Sequence, residues 1–174
     1  MKIVVLAGGT STERDVSLSS GSKIYRALKN RGHQVILLDV YLGYESETPV
    51  TEQLFELDVD GAKDIQAVSA EHPDLSHLKD LRRDGGKSMF GPNVLALCNM
   101  ADIVFLGLHG ANGEDGRIQA AFDLMGIPYT GTGYLSSALA MDKHITKQFF
   151  RNAGIPTPAG ITLKCGEKAD PSSV

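Results

Sequence analysis

An α/β fold, a mostly parallel sheet flanked by helices, is what this chain predicts, and three observations carry the prediction. Two near-continuous apolar runs, KIVVLA at 2–7 and ADIVFLGL at 101–108, read as strands buried on both faces. The first is followed by an apolar stripe at helical spacing and then by a third run, QVILLDV at 34–40, so strand, helix and strand fit one βαβ unit. Glycine-rich loops follow the runs ending at Ala7 and Leu108, where ligands of parallel sheets collect.

Taken in order, Lys2 to Ala7 is bounded by Gly8-Gly9, which stops the strand. Ser17 is placed to cap a helix running toward Asn30, with Ile24, Ala27 and Leu28 as its apolar stripe and Gly32 as its stop. Gln34 to Val40 is the second strand, joined by a right-handed crossover. Residues 41–93 hold His72-Pro73, Asp84-Gly85-Gly86 and only short apolar runs, and read as one or two short peripheral strands with loops. Residues 93–100 suit a short helix and 101–108 the next buried strand. Asp115 is placed to cap a helix with stripe Ile118, Ala121, Phe122 and Met125, stopped by Gly126. Ile127 to Thr130 reads as a brief strand before the Gly131-Thr132-Gly133 turn. Residues 135–153 form one long or broken helix with Leu139, Met141, Ile145 and Phe149 inward, ended by Gly154 and Pro156. Thr157 to Leu163 starts another strand, and Cys165 to Val174 is polar and without direction. A domain seldom finishes on a strand just begun, so the chain reads as interrupted.

Composition narrows the class. With 174 residues, 42% hydrophobic and 22% charged, the chain suits a soluble globular domain plus a piece of a second. No apolar run reaches the roughly 18 residues of a membrane span, and the start lacks a secretory pattern. A net charge of −4 argues against nucleic acid as the partner, but not against small anions held locally. Cys98 and Cys165 form no metal-type or redox-type pair and read as reduced thiols of a cytoplasmic protein.

Three stretches can carry chemistry. The first, Gly8 to Ser17, departs from the dinucleotide pattern G-x-G-x-x-G, because Thr10 and Glu13 stand where its second and third glycines belong. A carboxylate at a helix entrance repels phosphate there, so Glu13 suits a cation such as an amino group. Residue type alone leaves Glu13 and Arg14 open as solvated charges, and Asp15 and Ser17 as caps. The second, His109 to Gly116, has glycines that let the backbone approach a ligand, with His109 at a strand end within reach of the first loop. His109 alone also fits a structural role, and Glu114 and Asp115 fit helix capping better than a metal. The third, Met141-Asp142-Lys143-His144, puts Lys143 and Lys147 on one helix face, where they meet phosphate oxygens or simply water. No spacing of His, Cys or acids makes a metal site, and no G-x-S-x-G elbow or Walker loop is present.

The strings AGGTSTERDVSLSSG (7–21) and FLGLHGANGEDGRIQAAFDLMGIPYTGTGYLSSALAMDKHITKQFFRNAGIPTP (105–158) closely resemble D-alanine–D-alanine ligases of the ATP-grasp superfamily. The LHG-x-x-GEDG-x-x-Q loop and the GGTS-x-ER-x-VS start are specific to that family, and residues 41–93 fall where it varies. The resemblance implies a pre-ATP-grasp, Rossmann-like substrate-binding domain over 1–131 and the beginning of an ATP-grasp central domain over 132–174. It implies that Glu13 binds the amino group of the first D-alanine, with Val16 and Ser17 lining that subsite and His109 supporting substrate placement. Lys143 would reach the ATP phosphates, while Lys147 matches no binding position. It also implies a cytoplasmic, magnesium-dependent enzyme of cell-wall synthesis that joins two D-alanines through an acyl phosphate. The same resemblance implies Glu13 as a catalytic residue of this part, with the magnesium-binding acids, the oxyanion-site arginine, the adenine pocket and the lid loop beyond Val174. On that reading the 174 residues alone are inactive and expose an apolar seam. Members of the family often pair as homodimers, which no feature of this sequence establishes. The alternative reading is a non-catalytic flavodoxin-like or Rossmann-like module that binds a small ligand or a partner.

Overall fold

The computed structural model describes residues 1–57 and 75–168. Three parallel strands, β1 (Lys2–Ala7), β2 (Gln34–Asp39) and β3 (Ile103–Leu106), form a sheet in the order β2-β1-β3. β1 is central, its register running Ile3↔Val35 on one side and Ile3↔Ile103 on the other. Val4 to Ala7 have no exposed surface, as a strand covered on both faces requires.

Side chains alternate across β1, and each face acquires its own core. Ile3 and Val5 pack with Val35 beneath Tyr25 of helix α1 (Arg14–Asn30), with Ile24 and Leu28 partly buried beside them. Val4 and Leu6 meet Leu97 and Cys98 of helix α2 (Val94–Met100) and Ile118 and Phe122 of helix α3 (Arg117–Met125). The buried face of α1 runs through Ser17, Gly21 and Tyr25, a helical i, i+4, i+8 row, and Ala27 is exposed, contrary to the expected stripe. Gly21 allows this seating, because a Cβ there would lie 2.6 Å from that of Ala7.

Other expectations are also corrected. Ser17 lies inside α1, and Glu13 is the residue at the helix entrance. α3 begins after Gly116, and Asp115 instead accepts hydrogen bonds from the Asn112 and Arg117 amides. Gln119 of α3 is buried and Met125 exposed. The expected strand at 127–130 shrinks to one bridge, Val104↔Tyr129. Pro128 has no N–H to continue the ladder backward, and the Thr130 hydroxyl, not its carbonyl, takes the Leu106 amide at 3.1 Å. Among the described residues of 41–93 there is no strand; two short 3-10 turns, Glu52–Glu56 and Ser76–Lys79, stand there instead. The His72-Pro73 segment lies outside the described residues. Buried Arg82 organises the following loop, with its guanidinium 4.7 Å from the Tyr41 ring centroid and bonded to Asp84 and the Ser88 carbonyl.

The helix expected over 135–153 is broken into α4 (Tyr134–Met141) and α5 (Lys143–Asn152). Asp142 makes the break, its extended backbone ending α4 while its carboxylate accepts the Ile145 amide at 3.0 Å to open α5. Met141 and Phe149 are exposed at 40% and 57%, not inward, and α5 has no buried residue. Thr157–Leu163 forms no strand, since no described segment pairs with it. No helix among the described residues is long and apolar enough to cross a membrane.

Candidate functional site

Two loops meet at the carboxyl end of the sheet, one leaving β1 and one leaving β3. Ser17 ties them together: its hydroxyl accepts the Gly8 amide at 2.9 Å and donates to the Gly107 carbonyl at 2.7 Å. Both bonds are buried, so Ser17 fixes the spacing of the loops and has spent its hydroxyl in doing so. The second contact lies further out. A Cβ on Gly110, whose φ is +71°, would collide with the Ser11 hydroxyl and lie 2.7 Å from Oε2 of Glu13. The Glu13 carboxylate thus rests against the glycine that follows His109, which only a residue without a side chain permits. Glu13 is exposed and its side chain makes no capping bond, while His109 is half-buried. Val16 is 40% exposed on the first turn of α1.

Arg14 is the residue that sequence reasoning undervalued. It is buried, donates to the Gly9 carbonyl at 2.8 Å and pairs with Asp39 at 2.5 Å. Asp39 Oδ2 takes no well-directed hydrogen bond in that pair, whereas Oδ1 accepts the Tyr41 and Leu42 amides at 2.8 and 2.9 Å. A Cβ on Gly8 would lie 2.6 Å from the Asp39 carboxyl carbon. The Gly8-Gly9 turn therefore wraps the protein's own ion pair, and a phosphate placed there would meet a carboxylate. The signal in the sequence was an acid ending an otherwise apolar strand, beside a basic residue at a helix start.

Lys143 is not brought to these loops. It opens α5 and lines a separate groove of about 450 Å³ with His144, Lys147 and Arg151, and no carboxylate lines that groove. Lys147 donates to the Pro158 carbonyl at 3.0 Å across it. Between the two regions lies a cavity of about 370 Å³, walled by Leu106 and Leu108 of the β3 end, Glu114, Gln119, the Thr130–Thr132 turn and α4. None of Glu13, Val16, Ser17, His109 or Lys143 lines it. No group of three His, Cys, Asp or Glu among the described residues is arranged to hold a metal ion.

A family model described as the D-ala D-ala ligase N-terminus matches residues 2–132. The chain belongs to this family. Among its relatives, the D-alanine–D-alanine ligase of Lacticaseibacillus casei is 48% identical over 157 residues, 90% of this chain and 43% of that protein. The Pediococcus pentosaceus ligase is 45% identical over 171 residues, 98% of this chain and 48% of its own length. A crystal structure of the Bacillus anthracis D-alanine–D-alanine ligase complexed with ATP aligns with a TM-score of 0.61 at 26% identity, covering 98% of this chain and 42% of that one. The Coxiella burnetii ligase aligns with a TM-score of 0.61 at 25% identity, over 99% and 48% of the two chains. The chain thus spans less than half the length of these D-alanine–D-alanine ligases. The ligase N-terminus family accounts for both loops and the sheet that carries them.

Proposed function

We propose that this chain supplies the first-substrate side of an ATP-dependent ligase that joins two D-alanines for peptidoglycan synthesis. One observation carries the reading: the Glu13 carboxylate sits where the β1 and β3 loops converge, over the glycine next to His109, while Asp39 fills the turn a phosphate would need. That arrangement favours an ammonium group and disfavours a dinucleotide. Glu13 binds the amino group of the first D-alanine, Val16 borders the subsite, Ser17 fixes the distance between the loops, and His109 orients the substrate. Residues 1–131 form the substrate-binding domain and 132–174 begin the central domain.

Lys143 holds phosphate oxygens of ATP, and the carboxylate-free groove around it fits that task. ATP, when bound, supplies the phosphoryl group that activates the first carboxylate. Among the described residues no group of three His, Cys, Asp or Glu offers a magnesium site. The family's cytoplasmic setting follows from the same reading.

Calorimetric titration with D-alanine tests the assignment. Glu13→Gln leaves the fold intact, because the side chain is exposed and caps nothing, and weakens D-alanine binding by about tenfold. Equal affinities in the two proteins would remove Glu13 from the site. In a phosphate-release assay with ATP and D-alanine, these 174 residues alone give no turnover; robust turnover would refute that part.

A further inference from the structure

The entrance of α1 follows the end of β1, and two successive side chains there reach to opposite neighbours in the β2-β1-β3 order. Arg14 goes to the β2 side, where Nη2 meets Asp39 at 2.5 Å and Nη1 donates to the Gly9 carbonyl at 2.8 Å. Glu13 goes to the β3 side, with Oε2 2.7 Å from where a Cβ on Gly110 would stand. Successive residues at a helix start point about 100° apart, so the side taken by one decides the side left to the other. The two anchors are unequal. Asp39 is fixed, because Oδ1 accepts the Tyr41 and Leu42 amides at 2.8 and 2.9 Å and the side chain is only 12% exposed. Glu13 is exposed, and its side chain caps nothing. A carboxylate without an anchor of its own takes its direction from the backbone that carries it.

We propose that Arg14 and Asp39 are positioning residues for the substrate site: by tying the α1 entrance to β2, the pair aims the Glu13 carboxylate across β1 at the β3 loop. The fork of the guanidinium is what the task needs, because it holds Asp39 and the Gly9 carbonyl at once and closes residues 9–14 into a ring. The Ser11 hydroxyl belongs to that ring, accepting the Glu13 amide at 3.1 Å and lying against Gly110. An ammonium in place of the guanidinium still neutralises Asp39, but as a point charge it cannot span both partners in that geometry. Loss of the fork therefore keeps most of the ion pair's contribution to stability and lets the α1 entrance turn. The effect on D-alanine rests on the assignment of Glu13 made above; the aim of the side chain does not.

Arg14→Lys in the 174-residue chain is the test, with three readouts. Its urea unfolding should lie far closer to the unsubstituted chain than that of Arg14→Ala. Without ligand, nuclear Overhauser contacts between the Glu13 side chain and the Gly110 α-protons are expected in the unsubstituted chain and are lost in Arg14→Lys. In calorimetric titration, Arg14→Lys should bind D-alanine about fivefold more weakly. A purely structural pair gives a different split, because the lysine that restores stability then restores the contact and the affinity with it. Retention of the Glu13–Gly110 contact in Arg14→Lys overturns the proposal, as does unchanged D-alanine affinity in that variant when Glu13→Gln lowers it. Should Glu13→Gln bind D-alanine as the unsubstituted chain does, the substrate assignment fails, and the contact measurement still decides the positioning. Should Arg14→Lys not fold, Asp39→Asn decides by the same contact, since it keeps an Oδ1 acceptor for the Tyr41 and Leu42 amides and leaves the guanidinium no charge to hold.

Discussion

Arg14 and Asp39 show how much of the first loop rests on two side chains. They are 10% and 12% exposed, and their contact spans the turn that leads to Glu13. Removing one charge strands the other in a site nearly free of water, which costs about 3 kcal/mol. Arg14→Ala is therefore expected to lower unfolding free energy by about that amount in urea, and Arg14→Ala with Asp39→Ala by less than the sum of the single changes. Additive effects would show that the two do not act as a pair. Residue type alone allowed Arg14 to be a solvated charge, because its burial depends on Asp39 at the end of β2, a partner distant in sequence. Ser17 was readable only as a helix-start residue for the same reason. Its partners, Gly8 and Gly107, lie 9 and 90 residues away.

At the scale of elements, the apolar runs of β1 and β2 were legible because burial on both faces leaves little room for polar residues. β3 is shorter than its run, since Asp102 turns aside to accept the Lys2 amide and Gly107 bonds to Leu6 as the chain leaves the sheet. The helices after Gly133 were legible in kind but not in facing, because their stripes have little to pack against among the described residues. α5 shows the energetic result. With no buried residue, ten residues of helix depend on local terms, and so short a helix is marginal in water. Asp142→Ala removes its cap at a cost of about 1 kcal/mol, expected as faster amide exchange through Lys143–Asn152 with α1 unaffected. Unchanged exchange in α5 would mean that the cap contributes nothing.

Over the whole molecule, the two cores differ in what they enclose. The one facing α2 and α3 contains Cys98, whose thiol burial pushes up from 9.0 to about 12. A thiol whose pKa is higher when folded favours the folded state fully below pH 9, and that contribution fades as pH climbs toward about 12. Cys165, by contrast, is exposed. Alkylation at pH 8 should modify Cys165 and spare Cys98 until denaturant is added; equal rates would show that the inner core opens readily. Fold class was legible from pattern alone, because a parallel sheet announces itself locally. The meeting of Glu13 with Gly110 was not, since it depends on two residues 97 positions apart being brought together by β1–β3 pairing and the Ser17 link between their loops.

The margin of β3 has a further consequence. Around the Tyr129 bridge, the Val104 amide is taken by the Pro128 carbonyl and the Leu106 amide by the Thr130 hydroxyl. A stray polypeptide approaching β3 therefore meets a border already occupied, and would have to displace the Pro128 and Thr130 bonds to Val104 before it could pair there.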